Sequence, residues 1–151
     1  MLRLERVVFA QLISQTIPGR VLILLGARRV GKTSLLKELA TSFDSELVLL
    51  LNGEDQATLD RLSIKSVENY RAMLGKVKYL IIDEAQNIPE IGLKLKLIVD
   101  ELPEVAIIVT GSSMFELTNQ LGEPLVGRSF VIQLFPLAQL EFNAYENLIE
   151  T

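Results

Sequence analysis

The reactive side chains of this chain gather in two short clusters. The first is Gly26-Ala27-Arg28-Arg29-Val30-Gly31-Lys32-Thr33, an unbroken G-x-x-x-x-G-K-[ST] segment. Glycines at both ends of such a segment let the backbone curl until successive N–H groups point at one phosphate. A helix beginning where the segment ends adds its partial positive charge to the same anion. An ammonium at the position of Lys32 reaches the outer phosphates, and the hydroxyl of Thr33 is a ligand for Mg²⁺. Gly26, Ala27, Arg28, Arg29, Val30, Gly31, Lys32, Thr33 and Ser34 are therefore the candidate nucleotide-binding residues. Arg28 and Arg29 have two readings: they lie over the phosphates, or they are solvated and face a partner, which is the simpler of the two.

The second cluster is Val77-Lys78-Tyr79-Leu80-Ile81-Ile82-Asp83-Glu84, a hydrophobic strand pattern that ends in two carboxylates. Asp83 at the strand tip is placed to hold magnesium through a water. Glu84 would orient or deprotonate the attacking water, as a general base does. An Asp-Glu pair after a strand can also be no more than the start of a turn. The preceding cradle changes that balance, because both motifs must meet at one magnesium, with Thr33 and Asp83 as its protein ligands. The chain has no histidine and no cysteine. Carboxylates and hydroxyls are thus the groups left for proton transfer and metal binding, and disulfides are excluded.

A third polar group, Thr110-Gly111-Ser112-Ser113, follows another apolar run. Thr110 or Ser112 could hydrogen-bond the attacking water or the γ-phosphate and so sense it. Ser112 or Ser113 would equally well cap the helix that follows.

These groups need elements to carry them. Nearly continuous apolar runs at 20–25, 46–51, 77–83, 105–110 and 129–134 predict five strands covered on both faces. Helical patterns fall at 4–15, 34–40, 66–74 and 112–121. A further stripe of Ile91, Leu95, Ile98, Val99 and Leu102 lies between Pro89 and Pro103. Alternating strands and helices predict an α/β fold with a mostly parallel sheet. About 50 positions separate Lys32 from Asp83, room for an extra strand at 46–51 and another helix. That insertion, with a glutamate beside the aspartate, marks the ATP-hydrolysing branch of phosphate-loop proteins. The Asn-Lys-x-Asp segment that selects guanine is absent, so ATP with Mg²⁺ is the expected ligand.

Composition agrees with a globular chain: 49% of residues are apolar and 23% charged. The formal net charge of −4 does not point to nucleic acid, whose binding rests largely on phosphate neutralisation. No uncharged run is long enough to cross a membrane and no secretory signal is evident, so a cytoplasmic protein is expected. The mean hydropathy of +0.34 is high and suggests an apolar face covered by a partner or a further domain.

The two clusters, Ala85-Gln86 after the second, Thr110-Gly111-Ser112-Ser113, and Gly127-Arg128…Leu134-Phe135-Pro136-Leu137…Glu141-Phe142 occur in that order. In this the chain resembles the AAA+-superfamily ATPase domain of a large archaeal and bacterial group whose members usually carry a C-terminal domain of uncharacterised role. The resemblance spans about 18–142. It implies a P-loop NTPase fold: a three-layer α/β sandwich with strand order 5-1-4-3-2, after an N-terminal helix at 1–17. It also implies ATP hydrolysis coupled to a partner or C-terminal domain, with homo-oligomers as a further expectation; the alternative is a nucleotide-dependent switch with little turnover. Arg128 becomes a catalytic candidate, acting on a γ-phosphate in cis or from a neighbouring subunit, against the alternative of a buried structural ion pair that anchors the fifth strand. With Glu84, Lys32 and Ser112 it completes the candidate catalytic set. Gln86 matches the family's Asp-Glu-x-Gln and would relay γ-phosphate status. Ala138-Gln139 departs from the usual Ser-Phe. No helical lid is found before Thr151, so the chain reads as an AAA+ core without its lid and with a low hydrolysis rate.

Overall fold

The computed structural model describes residues 3–26, 32–111 and 125–134. Five strands form one sheet: β1 (Val21–Leu25), β2 (Val48–Asn52), β3 (Tyr79–Asp83), β4 (Ala106–Gly111) and β5 (Ser129–Gln133). Every pairing is parallel, and the order is β2-β3-β4-β1-β5, the expected 5-1-4-3-2 viewed from the other edge.

Side-chain alternation along the central strands divides the core between the two sheet faces. Leu22, Leu24, Ile81 and Ile108 face one side. They pack with Leu12 of α1 (Arg3–Ser14) and with Leu36 and Leu39 of α2 (Lys32–Thr41). Val21, Ile23, Leu25, Leu80, Ile82, Ile107 and Val109 face the other. There they meet Tyr70 and Leu74 of α4 (Val67–Leu74) and Ile91, Leu95 and Ile98 of α5 (Ile91–Glu101). All residues of β1 and β4 are buried, which is why their sequences run apolar instead of alternating.

The boundaries differ from the pattern reading where local capping competes with the ladder. β2 begins at Val48 rather than at Glu46, because the Asp44 carboxylate accepts from the Glu46 N–H and starts a 3₁₀ turn, Ser45–Leu47. β3 begins at Tyr79, because the Val77 N–H is turned back to the Leu74 carbonyl at 2.8 Å. A short helix, α3 (Gln56–Leu62), follows β2 and packs only Leu59 and the buried Leu62 against the core, too short a stripe to show as a helical period. Its signal is Asp55, whose carboxylate caps it by accepting from the Ala57 N–H. The helical pattern at 112–121 lies outside the described residues.

Ser66 caps α4 in the same way, through the Asn69 N–H. That helix delivers Tyr70 into the core, where its side chain is fully buried and its hydroxyl lies 3.4 Å from the Leu62 carbonyl. Burial disfavours the phenolate and pushes the hydroxyl up to about 12 from an ordinary 10.0. The folded state then retains a proton that the unfolded chain releases. The contribution is complete below pH 10.0 and is lost as pH rises towards about 12. Urea unfolding should show stability falling across this alkaline window, and Tyr70→Phe should flatten that fall even if its stability at neutral pH is lower.

Candidate functional site

In a parallel sheet the carboxyl ends of all strands share one edge, and ligands bind there. The parallel register puts Leu51 of β2 beside Ile82 of β3, and Ile82 beside Val109 of β4. The residues that follow, Asn52, Asp83 and Thr110, therefore emerge side by side at that edge. The backbone of α2 opens with Lys32 and Thr33 at the same place.

Asp83 is the hub of this corner. It is only 6% exposed, and a buried carboxylate needs partners. The Thr33 hydroxyl donates to its Oδ2 at 2.8 Å, and the Thr110 hydroxyl to its Oδ1 at 2.5 Å. The Glu84 N–H donates to the same Oδ1 at 3.1 Å and to the Thr110 hydroxyl oxygen at 3.0 Å. Thr33 and Asp83, far apart in sequence, thus touch. One hydroxyl and one carboxylate 2.8 Å apart suit Mg²⁺, which keeps several waters and takes only one or two protein ligands. Thr33 and Asp83 are the residues that would hold it. Among the described residues no cluster of three or more carboxylates, histidines or cysteines offers an all-protein cage.

Glu84 adopts a left-handed conformation with φ 53° and ψ 48°. For a residue with a side chain this costs about 1–3 kcal/mol and persists only where its surroundings over-determine it. Here its N–H is held by Asp83 and Thr110, and its carbonyl accepts from the Asn87 N–H at 3.2 Å. The turn points its carboxylate at Gln86, whose side-chain amide donates to Oε2 at 2.6 Å. Gly53, just after β2, packs against the other side of the turn. Its N–H donates to the Asp83 carbonyl at 2.7 Å, and a Cβ added to it would sit 2.1 Å from the Glu84 carbonyl oxygen. Sequence reading passed over both Thr110's bond to Asp83 and Gly53. The glycine followed by Glu54 and Asp55 reads as an ordinary turn, and only the neighbouring strand reveals why no side chain fits.

Several candidates cannot be located. Ala27, Arg28, Arg29, Val30, Gly31 and Ser112 lie outside the described residues, as does the 135–142 segment, and the Lys32 side chain is likewise outside them. Ser34 follows Thr33 in the first turn of α2 and is exposed.

Arg128 lies elsewhere. It precedes β5, and its carbonyl accepts from the N–H of Val21, the first residue of β1. That is the amino edge of the sheet, opposite Asp83. The separation from Asp83 is about 13 Å along the strands and about 14 Å across them, given roughly 3.3 Å per residue and 4.8 Å between strands. Its guanidinium Nε donates to Asp100 of α5 at 2.8 Å, both side chains being more than a third exposed. Of the readings open for Arg128, action in cis is the one this placement does not support, since the residue starts at the opposite edge from its own chain's Asp83 corner. The anchoring ion pair exists, but at the surface and not buried.

A parallel five-stranded sheet in this order, with helices on both faces and a phosphate-loop segment between β1 and α2, defines the AAA+ type of P-loop NTPase fold. The family model described as "AAA domain" matches residues 18–143; the chain belongs to that family. It is 26% identical over 133 residues to the uncharacterized protein MJ1544 of Methanocaldococcus jannaschii, covering 87% of this chain and 30% of that protein. Among solved structures it resembles AMPPCP-bound DnaA from Aquifex aeolicus, with a TM-score of 0.59 at 20% identity over 86% of this chain and 44% of that one. The P-loop NTPase domain of an E. coli sigma-54 transport activator matches with a TM-score of 0.53 at 15% identity, covering 91% of this chain and 99% of that one. At these identities the solved structures speak for the fold. The chain spans less than half the length of MJ1544 and of DnaA. No helix among the described residues is long and apolar enough to cross a membrane.

The close approach at Gly53 can be tested directly. Gly53→Ala should lower stability by about 1–3 kcal/mol, the usual range for forcing an atom into a filled space, read as a lower denaturant midpoint. An unchanged midpoint would mean that the turn after β2 does not press on Glu84.

Proposed function

We propose that this domain binds ATP with Mg²⁺ and hydrolyses it, and that the cycle moves a partner protein or a further domain, in the cytoplasm. The observation that carries the reading is the Thr33–Asp83 contact of 2.8 Å. It joins the end of the phosphate-loop segment to the tip of the acidic strand, as a shared magnesium requires. Main-chain amides of 26–31 and the ammonium of Lys32 would hold the phosphates. Glu84 would take a proton from the attacking water, and Thr110 keeps the Asp83 carboxylate in place. Ser112 is proposed to contact the γ-phosphate. When bound, the metal would neutralise charge on the outer phosphates.

A second reading, a nucleotide-dependent switch with little turnover, is favoured by one observation. The Gln86 amide donates to Glu84 Oε2 at 2.6 Å, a bond that competes with a water for that oxygen of the general base. Phosphate release separates the two readings. Hydrolysis predicts a steady rate that Glu84→Gln lowers by about 100-fold or more, the usual worth of a general base, with ATP affinity retained. A switch predicts tight binding and equally negligible release from both proteins. Under either reading Lys32→Ala should abolish ATP binding by calorimetry while leaving the circular dichroism spectrum unchanged.

Arg128, exposed at the far edge, would act on a phosphate only from a neighbouring subunit. Arg128→Ala should cost less than about 1 kcal/mol of stability, as surface ion pairs do. It should lower phosphate release at high protein concentration while ATP affinity stays the same. A variant whose release rate matches wild type at every concentration would leave Arg128 as an anchor for β5 and nothing more.

A further inference from the structure

A cavity of about 470 Å³ opens from the Thr33–Asp83 corner towards the edge of the sheet, between α2, β2 and α3. Its floor is apolar on the α2 side, where Leu36 and Leu50 lie, with Leu50 left 44% exposed on the edge strand; Leu49 and Leu51 also line it but turn their side chains into the layer under α4 and α5. Two cations, Lys37 from α2 and Arg61 from α3, stand on its rim. Among the described residues the ion pairs engage Lys65, Lys76 and Arg128, and neither rim cation takes part in one. Two carboxylates also line the space, but both are already in use. Asp55 caps α3, and Asp83 is bonded to Thr33 and Thr110. The Asn52 side-chain oxygen accepts from the Glu54 N–H at 2.9 Å, which leaves its amide group as a further donor at the mouth.

The volume exceeds what one phosphate group needs and falls in the range of pockets for small organic ligands. An apolar floor with unpaired cations at the rim selects a molecule with an apolar body and an anionic head, since each part then meets its complement. We propose that this cleft is a second ligand site, for a small amphipathic anion bearing a phosphate or carboxylate, held by Lys37 and Arg61 with its body on Leu36 and Leu50. The cleft includes the Thr33–Asp83 corner of the proposed nucleotide site, and the proposal rests on that reading for nothing else. A ligand seated there would lie beside the terminal phosphate of a bound nucleotide, where it could report on that phosphate or be reported on by it.

The test is an NMR titration of backbone amides with phenyl phosphate and, separately, phenylacetate, on protein first saturated with MgADP. Saturable shifts centred on Asn52, Ala57 and Thr58 are expected. Whichever probe saturates at the lower concentration identifies the preferred head group. Arg61→Ala and Lys37→Ala should each weaken binding by fivefold or more. Lys76→Ala, a control at a surface lysine paired with Glu46, should leave it unchanged. Because Lys37 and Arg61 are both exposed, their loss does not threaten the fold. Equal affinity in the rim variants and wild type, shifts that never saturate, or shifts centred on Gly26 and Thr33 alone would each overturn the proposal. If MgADP moves no amide near Gly26 or Thr33, the nucleotide reading fails by itself, and the cleft titration remains readable on the same sample.

Discussion

The Asp83 carboxylate is the constraint on which the rest of the site depends. A carboxylate only 6% exposed at the end of an apolar strand must be satisfied by fixed donors. Three come from different parts of the chain: the Thr33 hydroxyl from α2, the Thr110 hydroxyl from β4 and the Glu84 N–H from the turn that follows. Each bond ties an element to β3, so the corner is also a clasp between the cradle helix and the sheet centre.

The sheet makes that clasp possible. Parallel pairing sends every carboxyl end to one edge, and the β2-β3-β4-β1-β5 order sets β4 between the acidic strand and the strand that feeds the cradle. Two apolar layers, one under α1 and α2 and the other under α4 and α5, bury β1 and β4 completely. Burial on both faces fixes the register, because a slip by one residue would exchange the two sets of side chains between layers. The same rigidity supports the left-handed backbone of Glu84. Its cost is met by three hydrogen bonds and by a glycine at 53 that leaves room for the carbonyl.

The charged residues outside the corner sort themselves by edge. Lys37 and Arg61 open onto the carboxyl-edge cavity, whereas Arg128 lies on Asp100 at the amino edge. Two arginines that look equally available in the sequence therefore face different surroundings, one beside the candidate phosphate site and one beyond its reach in the same chain.

The sequence by itself determined the class of fold, because the apolar runs are long enough and continuous enough to demand a covered parallel sheet. It also determined the pairing of a phosphate-loop segment with an acidic strand tip, since both patterns carry their chemistry in consecutive residues. Local hydrogen bonds competed with periodicity: the Asp44 and Asp55 carboxylates moved the start of β2 and capped α3, and a main-chain bond from Val77 to Leu74 delayed β3. Only the tertiary structure decided that Thr110 bonds Asp83, that Gly53 presses on Glu84, and that Arg128 sits on the wrong edge to act in cis. The physical reason is common to all three: each depends on which strand lies beside which and in what register. Long-range pairing decides that, and no stretch of consecutive residues records it.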